Sequence, residues 1–88
     1  MPQMTVKIVN SAGMHARPAS EFVRLAGRFR SEVWVEKDGL RVNGKSIMGV
    51  LMLAAECGSC LCIEVEGEDA TDALGALTDL VSRGFEED

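Results

Sequence analysis

The chain holds one histidine, two prolines and no tyrosine in 88 residues. It also lacks an apolar run long enough to span a bilayer. The longest such stretch lies near Ile47 to Ala55, and Gly49 interrupts it. The N-terminus, Met1 to Thr5, shows no basic segment followed by an apolar one, so no secretory signal is read and a cytoplasmic protein is expected. Basic residues nearly vanish after Lys45: Arg83 stands alone against ten acids, whereas residues 1–45 carry eight Lys or Arg against four acids. A net charge of −5 argues against general nucleic-acid binding, which needs a dense basic surface. The basic first half points instead to a local anion site or an acidic partner. Cys57, Cys60 and Cys62 are too few and too odd in number for a disulfide framework. Cys57 and Cys60 have the spacing of zinc and thiol-redox sites. Zinc needs about four ligands, however, and the one histidine lies far away in sequence. No acidic cluster suited to magnesium and no glycine-rich nucleotide loop is present. Neither a metal nor a cofactor is expected.

What is present suits one domain over residues 1–88, with no repeat, linker or low-complexity tract. A domain this small buries a thin core, so its chemistry belongs near the surface, at a loop or a helix end. Alternation predicts a strand over Thr5–Val9, with Val6 and Ile8 on one face. Residues 10–13 are rich in turn formers. Ala19, Phe22, Val23 and Ala26 recur at helical spacing, which predicts a helix over Ala16–Ala26 with Pro18 in its first turn and Gly27 as its stop. Glu32–Lys37 alternates, Asp38-Gly39 is a hairpin signal, and Leu40–Val42 makes the return strand. Ser46 sits where a cap belongs, ahead of a helix over Ile47–Ala54. Cys60–Glu66 alternates with Leu61, Ile63 and Val65 inward. Thr71–Val81 is helical, with Ala70, Ala73, Leu74, Leu77 and Val81 on one stripe. The order β-α-β-β-α-β-α predicts an α+β fold: a four-stranded antiparallel sheet with three helices on one face.

The sole histidine falls in Gly13-Met14-His15-Ala16-Arg17-Pro18-Ala19, at the junction of a loop and a helix start. The first turn of a helix leaves backbone N–H groups without partners, and with the dipole these favour an anion. Arg17 adds a planar cation suited to phosphate oxygens. Gly13 lets the backbone bend and approach closely. The same positive surroundings disfavour an imidazolium, so a neutral ring with one nucleophilic nitrogen is expected near neutral pH. No carboxylate occurs from Asn10 to Ser20. His15 and Arg17 are thus candidates for carrying phosphate rather than fetching it from a nucleotide. The plainer alternative is a surface or capping histidine followed by ordinary helix-start residues.

Ser46 reads as an N-cap worth about 1 kcal/mol. The helix after it is apolar on all sides, and so small a domain cannot bury them all. One face is expected to stay exposed as a docking patch with Ile47, Met48 and Leu51 on it, Met being adaptable to several partners. Arg17, Arg24 and Arg28 lie along one helix side, where Arg24 would belong to a basic rim. A solvated charged face accounts for the same spacing.

The His15 segment resembles the phosphorylation-site motif of the HPr family, the histidine-containing phosphocarriers of the bacterial sugar phosphotransferase system. Lys45-Ser46-Ile47-Met48-Gly49-Val50 is similar to that family's regulatory serine segment, at the usual separation from the first motif. The resemblance covers essentially the whole chain and implies an open-faced β-sandwich. It implies that enzyme I, charged from phosphoenolpyruvate, phosphorylates Nδ1 of His15, that Arg17 holds the phosphoryl oxygens, and that an enzyme IIA-type protein receives the group. It also implies that HPr kinase/phosphorylase modifies Ser46. Such a carrier is a stoichiometric relay component rather than a stand-alone enzyme, and a monomer is expected. Ala54-Ala55-Glu56-Cys57 departs from the family's frequent glycine-rich turn. The tail, Gly84 to Asp88, looks like the nitrogen-related branch, while the Ser46 segment looks like the sugar branch. A nitrogen-related regulatory relay without sugar transport therefore stays open. So do a regulatory binder indifferent to His15 and a thiol-based module using the three cysteines.

Overall fold

Alternating side chains build the sheet. Val33 and Val35 are buried on one strand and Leu61, Ile63 and Val65 on another, while Trp34, Cys62 and Glu64 between them stay partly exposed. A half-buried strand needs this period of two. The computed structural model describes residues 2–87. Its elements are β1 (Gln3–Lys7), α1 (Ala16–Ala26), β2 (Glu32–Lys37), β3 (Leu40–Asn43), α2 (Ile47–Met52), β4 (Cys60–Glu66) and α3 (Ala70–Ser82), followed by a 3-10 turn over Gly84–Glu86. The four strands run antiparallel in the order β1-β4-β2-β3. Val33 pairs with Val65 and Val35 with Ile63, which sets the inward rows side by side. Asp38 and Gly39 turn the β2–β3 hairpin with φ of 50° and 84°, the pair of positive values that a two-residue turn matching strand twist requires.

The helices cover the apolar face of this sheet. α1 buries Pro18, Ala19, Phe22 and Ala26, and α3 buries Ala70, Ala73, Leu74, Leu77 and Val81. Each large apolar side chain removed from water contributes about 1.5–3 kcal/mol. Phe22 and Phe85 are the largest of those fully buried. This is the α+β architecture expected from the sequence, a four-stranded antiparallel sheet carrying three helices.

Two elements differ from expectation by two residues. β1 spans Gln3–Lys7 rather than Thr5–Val9, because β4 offers partners from Glu64 to Cys60 that pair with Gln3 through Lys7. Ile8 is still buried and bonds both ways, its N–H to Ser59 O at 2.8 Å and its carbonyl to Gly58 N at 2.7 Å. α2 stops at Met52 instead of Ala54, since Ala54 takes a φ of 49° and turns the chain away. Gly27 ends α1 after Ala26, as expected, while staying right-handed at φ −67° with its N–H reaching Val23 O at 2.9 Å.

Candidate functional site

The loop from Asn10 to Met14 decides where His15 stands. Gly13 adopts φ +72°, a region that costs an ordinary L-residue about 1–2 kcal/mol. A Cβ there would lie 2.6 Å from Ala55 O and 3.0 Å from Glu56 Cα, so the backbone of the segment after α2 leaves no room for one. Close approach lets Met14 N donate to Ala55 O at 2.8 Å, and the Met14 side chain is buried below. Asn10 is almost fully buried at 1% exposure, and its Nδ2 donates to Gly13 O at 2.8 Å. The loop is therefore pinned from two sides just before His15.

His15 is the N-cap of α1, with φ −89° and ψ −169°, and its side chain makes no capping bond. The imidazole projects from the helix start with 43% of the side chain exposed. Among the described residues, no group accepts from the amides of Ala16 and Arg17, and no acidic residue lies in the first turn. These are the unpaired donors anticipated for an anion.

The site also contains a carboxylate that no local reading reveals. Glu87, from the far end of the chain, places Oε1 2.9 Å from His15 Nε2 and 2.8 Å from Asn10 Nδ2. Its Oε2 accepts from Arg17 Nε at 3.0 Å and Nη2 at 2.6 Å. Arg17 Nη2 further donates to Phe85 O at 3.1 Å, and Nη1 donates to Glu21. The hydrogen bond from His15, followed by those from Arg17 and Asn10, holds the Glu87 carboxyl down at about 2, well below the usual carboxylate range. Glu87, chiefly, also raises the Arg17 guanidinium above its ordinary value.

An ionised carboxylate can only accept hydrogen bonds. Nε2 of His15 must therefore carry the proton in its contact with Glu87. In a neutral ring the lone pair then belongs to Nδ1, and no hydrogen bond reaches Nδ1 among the described residues. The geometry yields an exposed imidazole whose Nε2 is engaged by Glu87 and whose Nδ1 has no hydrogen bond among the described residues, beside unpaired helix amides and a guanidinium.

The other residues named from sequence fall elsewhere on the surface. Ser46 Oγ accepts from Gly49 N at 3.0 Å and caps α2, as expected. Met48 is 71% exposed and Ile47 also faces solvent. Leu51 instead packs partly against the core, and Met52, 66% exposed, stands out in its place. Val50 and Leu53 are buried, while Met48 and Met52, four positions apart, share the outward side of α2. Arg24 and Arg28 line a shallow cleft of about 250 Å³ with Glu21, Leu25, Leu80 and Arg83, on the flank of α1 that faces α3. Arg17 does not line that cleft; its guanidinium binds Glu87 and Glu21, the latter a residue of the cleft wall. Sequence reasoning missed Asn10 and Glu87, which read as a turn residue and as part of a tail that looks like the nitrogen-related branch. The one sequence signal was Phe85, an aromatic between Gly84 and three acids.

A family model described as the PTS HPr component phosphorylation site matches residues 2–83. The chain is 47% identical to phosphocarrier protein HPr of Neisseria meningitidis, covering 99% of this chain and 98% of the relative. It is 50% identical to phosphocarrier protein HPr of Treponema pallidum, covering 96% of each. The crystal structure of HPr-C-His from Thermoanaerobacter tengcongensis matches it with a TM-score of 0.96 and 44% identity, over 100% of this chain and 99% of that one.

Proposed function

The chain belongs to the HPr family of phosphotransferase phosphocarriers, and from that premise we propose that His15 accepts a phosphoryl group on Nδ1 from phosphorylated enzyme I and donates it to an enzyme IIA-type protein in the cytoplasm. The observation that carries this reading is the free Nδ1 of a ring whose proton is engaged at Nε2, placed at the unpaired N-terminus of α1. Nucleophilic attack needs that lone pair, and the developing phosphoryl charge needs the amides and Arg17. No base is required, because the neutral ring attacks without losing a proton.

Arg17 already binds an anion through two of its nitrogens, in Glu87. A guanidinium fork so arranged suits a phosphoryl group equally well. Met48, Ile47 and Met52 provide an adaptable apolar surface for the partner proteins. Ser46 is the regulatory residue, modified by HPr kinase/phosphorylase. A phosphate there would sit at the α2 start and add close to two negative charges, repelling an acidic partner with little change in fold.

A nitrogen-related relay is the second reading, favoured by the acidic tail after Gly84. The acceptor that drains the phosphoryl group, sugar-specific or nitrogen-related, decides between the two branches.

Incubation with phosphoenolpyruvate and enzyme I should add one acid-labile, base-stable phosphoryl group, read by intact-protein mass before and after brief acid treatment. Incubation with ATP and the kinase should add one acid-stable group on the peptide containing Ser46. An unmodified chain in the first arm contradicts the carrier reading, and in the second it contradicts the regulatory one.

A further inference from the structure

The tail of the chain takes an uncommon route to reach the site. Gly84, Phe85 and Glu86 have φ values of 65°, 55° and 60°, a left-handed run in which two of three residues bear side chains. L-residues rarely adopt that region, and such backbone persists only when the surroundings fix it. Here the Phe85 side chain is buried in the core and its carbonyl accepts from Arg17. The turn carries Glu87 back over the start of α1. The Glu87 side chain is 20% exposed there, and four donor atoms from three residues share its two oxygens. Asn10 supplies an independent sign of a built cradle. Its amide is buried, is fixed to the loop that delivers His15, and reaches the same oxygen that Nε2 reaches. Glu87 lies beyond the residues that the family model matches.

We infer that Glu87 is a positioning residue for the phosphoryl acceptor: gripped by Asn10 and Arg17, it holds the Nε2 proton of His15, keeps the lone pair on Nδ1, and faces the positive charge that the ring gains on phosphorylation. The inference rests on the carrier function proposed above. In the transfer step the Nδ1 lone pair forms the new N–P bond. The N–P bond of the donor's phosphohistidine breaks, and its electron pair stays on the donor's nitrogen. The Nε2 proton does not move, so the His15 ring becomes cationic, with the Glu87 carboxylate 2.9 Å away. A carboxylate behind a catalytic imidazole orients it, fixes its tautomer and stabilises the charge as it forms. Arg17 trades Oε2 for a phosphoryl oxygen, while Oε1 keeps His15 and Asn10.

The test uses the full chain with Glu87→Ala and Glu87→Gln. Because His15 is the only histidine, its ring nitrogens give unambiguous 15N signals. The wild-type ring should be the Nε2–H form. Glu87→Gln should keep it, since the amide oxygen still accepts from Nε2–H, and Glu87→Ala should raise the Nδ1–H fraction. The rate of phosphoryl acceptance from enzyme I should fall about tenfold in Glu87→Ala, with Glu87→Gln between it and wild type. Neither substitution touches the core, and matching backbone amide spectra verify the fold. A wild-type ring protonated on Nδ1, or a Glu87→Ala chain that loads as fast as wild type or faster, overturns the proposal. A wild-type chain that takes no phosphoryl group overturns the carrier reading instead, and the ring spectra then decide the hold on Nε2 by themselves.

Discussion

Replacing His15 by alanine should abolish phosphoryl loading and leave the fold in place. The chain has no second histidine to accept the group, so the loss should be complete rather than graded. The ring is exposed, its side chain makes no capping bond, and among the described residues it hydrogen-bonds Glu87. Surface substitutions of this kind typically change stability by no more than about 0.5 kcal/mol. Glu87 would lose one donor but keep Arg17 and Asn10. Enzyme I charged with labelled phosphoenolpyruvate, followed by acid lability of the product, measures the effect, and circular dichroism verifies the fold. Acid-labile phosphate on folded His15→Ala would remove His15 from the mechanism.

The second large effect belongs to Gly13→Ala. Two penalties coincide at this position. The left-handed φ of +72° costs a non-glycine residue about 1–2 kcal/mol. The new Cβ would also stand 2.6 Å from Ala55 O, a backbone atom that cannot swing aside as a side chain would. Relief requires parting the loop from residues 55–57, and the Met14 N to Ala55 O bond is the first casualty. The combined loss should reach at least about 2 kcal/mol, which for a domain of this size lowers the melting temperature by about 10 °C. His15 follows Met14 directly, so its ring should lose register with Glu87 and with the α1 start, and phosphoryl acceptance should fall well over tenfold. Thermal unfolding and rapid-quench loading measure the two parts. A Gly13→Ala chain that melts and loads like wild type would mean that the loop does not position the histidine.

Local rules made much of the fold legible. The β2 and β4 strands alternate because each has one face on the core, and alternation survives in the sequence as Val33, Val35, Leu61, Ile63 and Val65. Asp38-Gly39 announced its hairpin because positive φ at both positions selects such residues. The Ser46 cap was readable from its place before an apolar run, and Oγ does accept from Gly49 N. β1 was displaced by two residues because its own side chains are mostly exposed and its extent follows from β4. The length of α2 was overread since its apolar residues continue past Met52. The backbone turns at Ala54 to bring Ala55 against Gly13, a tertiary demand with no periodic mark.

The site divided the same way. His15, Arg17 and Gly13 lie within five positions of one another, and helix-end electrostatics ties them together without a structure. Asn10 and Glu87 complete the arrangement across 77 positions. A buried asparagine and a turn asparagine look alike in a sequence. An acidic tail reads as a solvated one until Phe85 is seen anchored in the core and the carboxylate beyond it is found on the imidazole. The sequence-based picture of a cationic surround without a carboxylate was therefore incomplete, because the balancing charge comes from the opposite terminus.

The most direct measurement is a 31P and 15N spectrum of the chain after loading by phosphoenolpyruvate and enzyme I. The phosphorus should couple to Nδ1 of His15 while Nε2 keeps its proton. Phosphorus on Nε2, or on any other residue, would contradict the account.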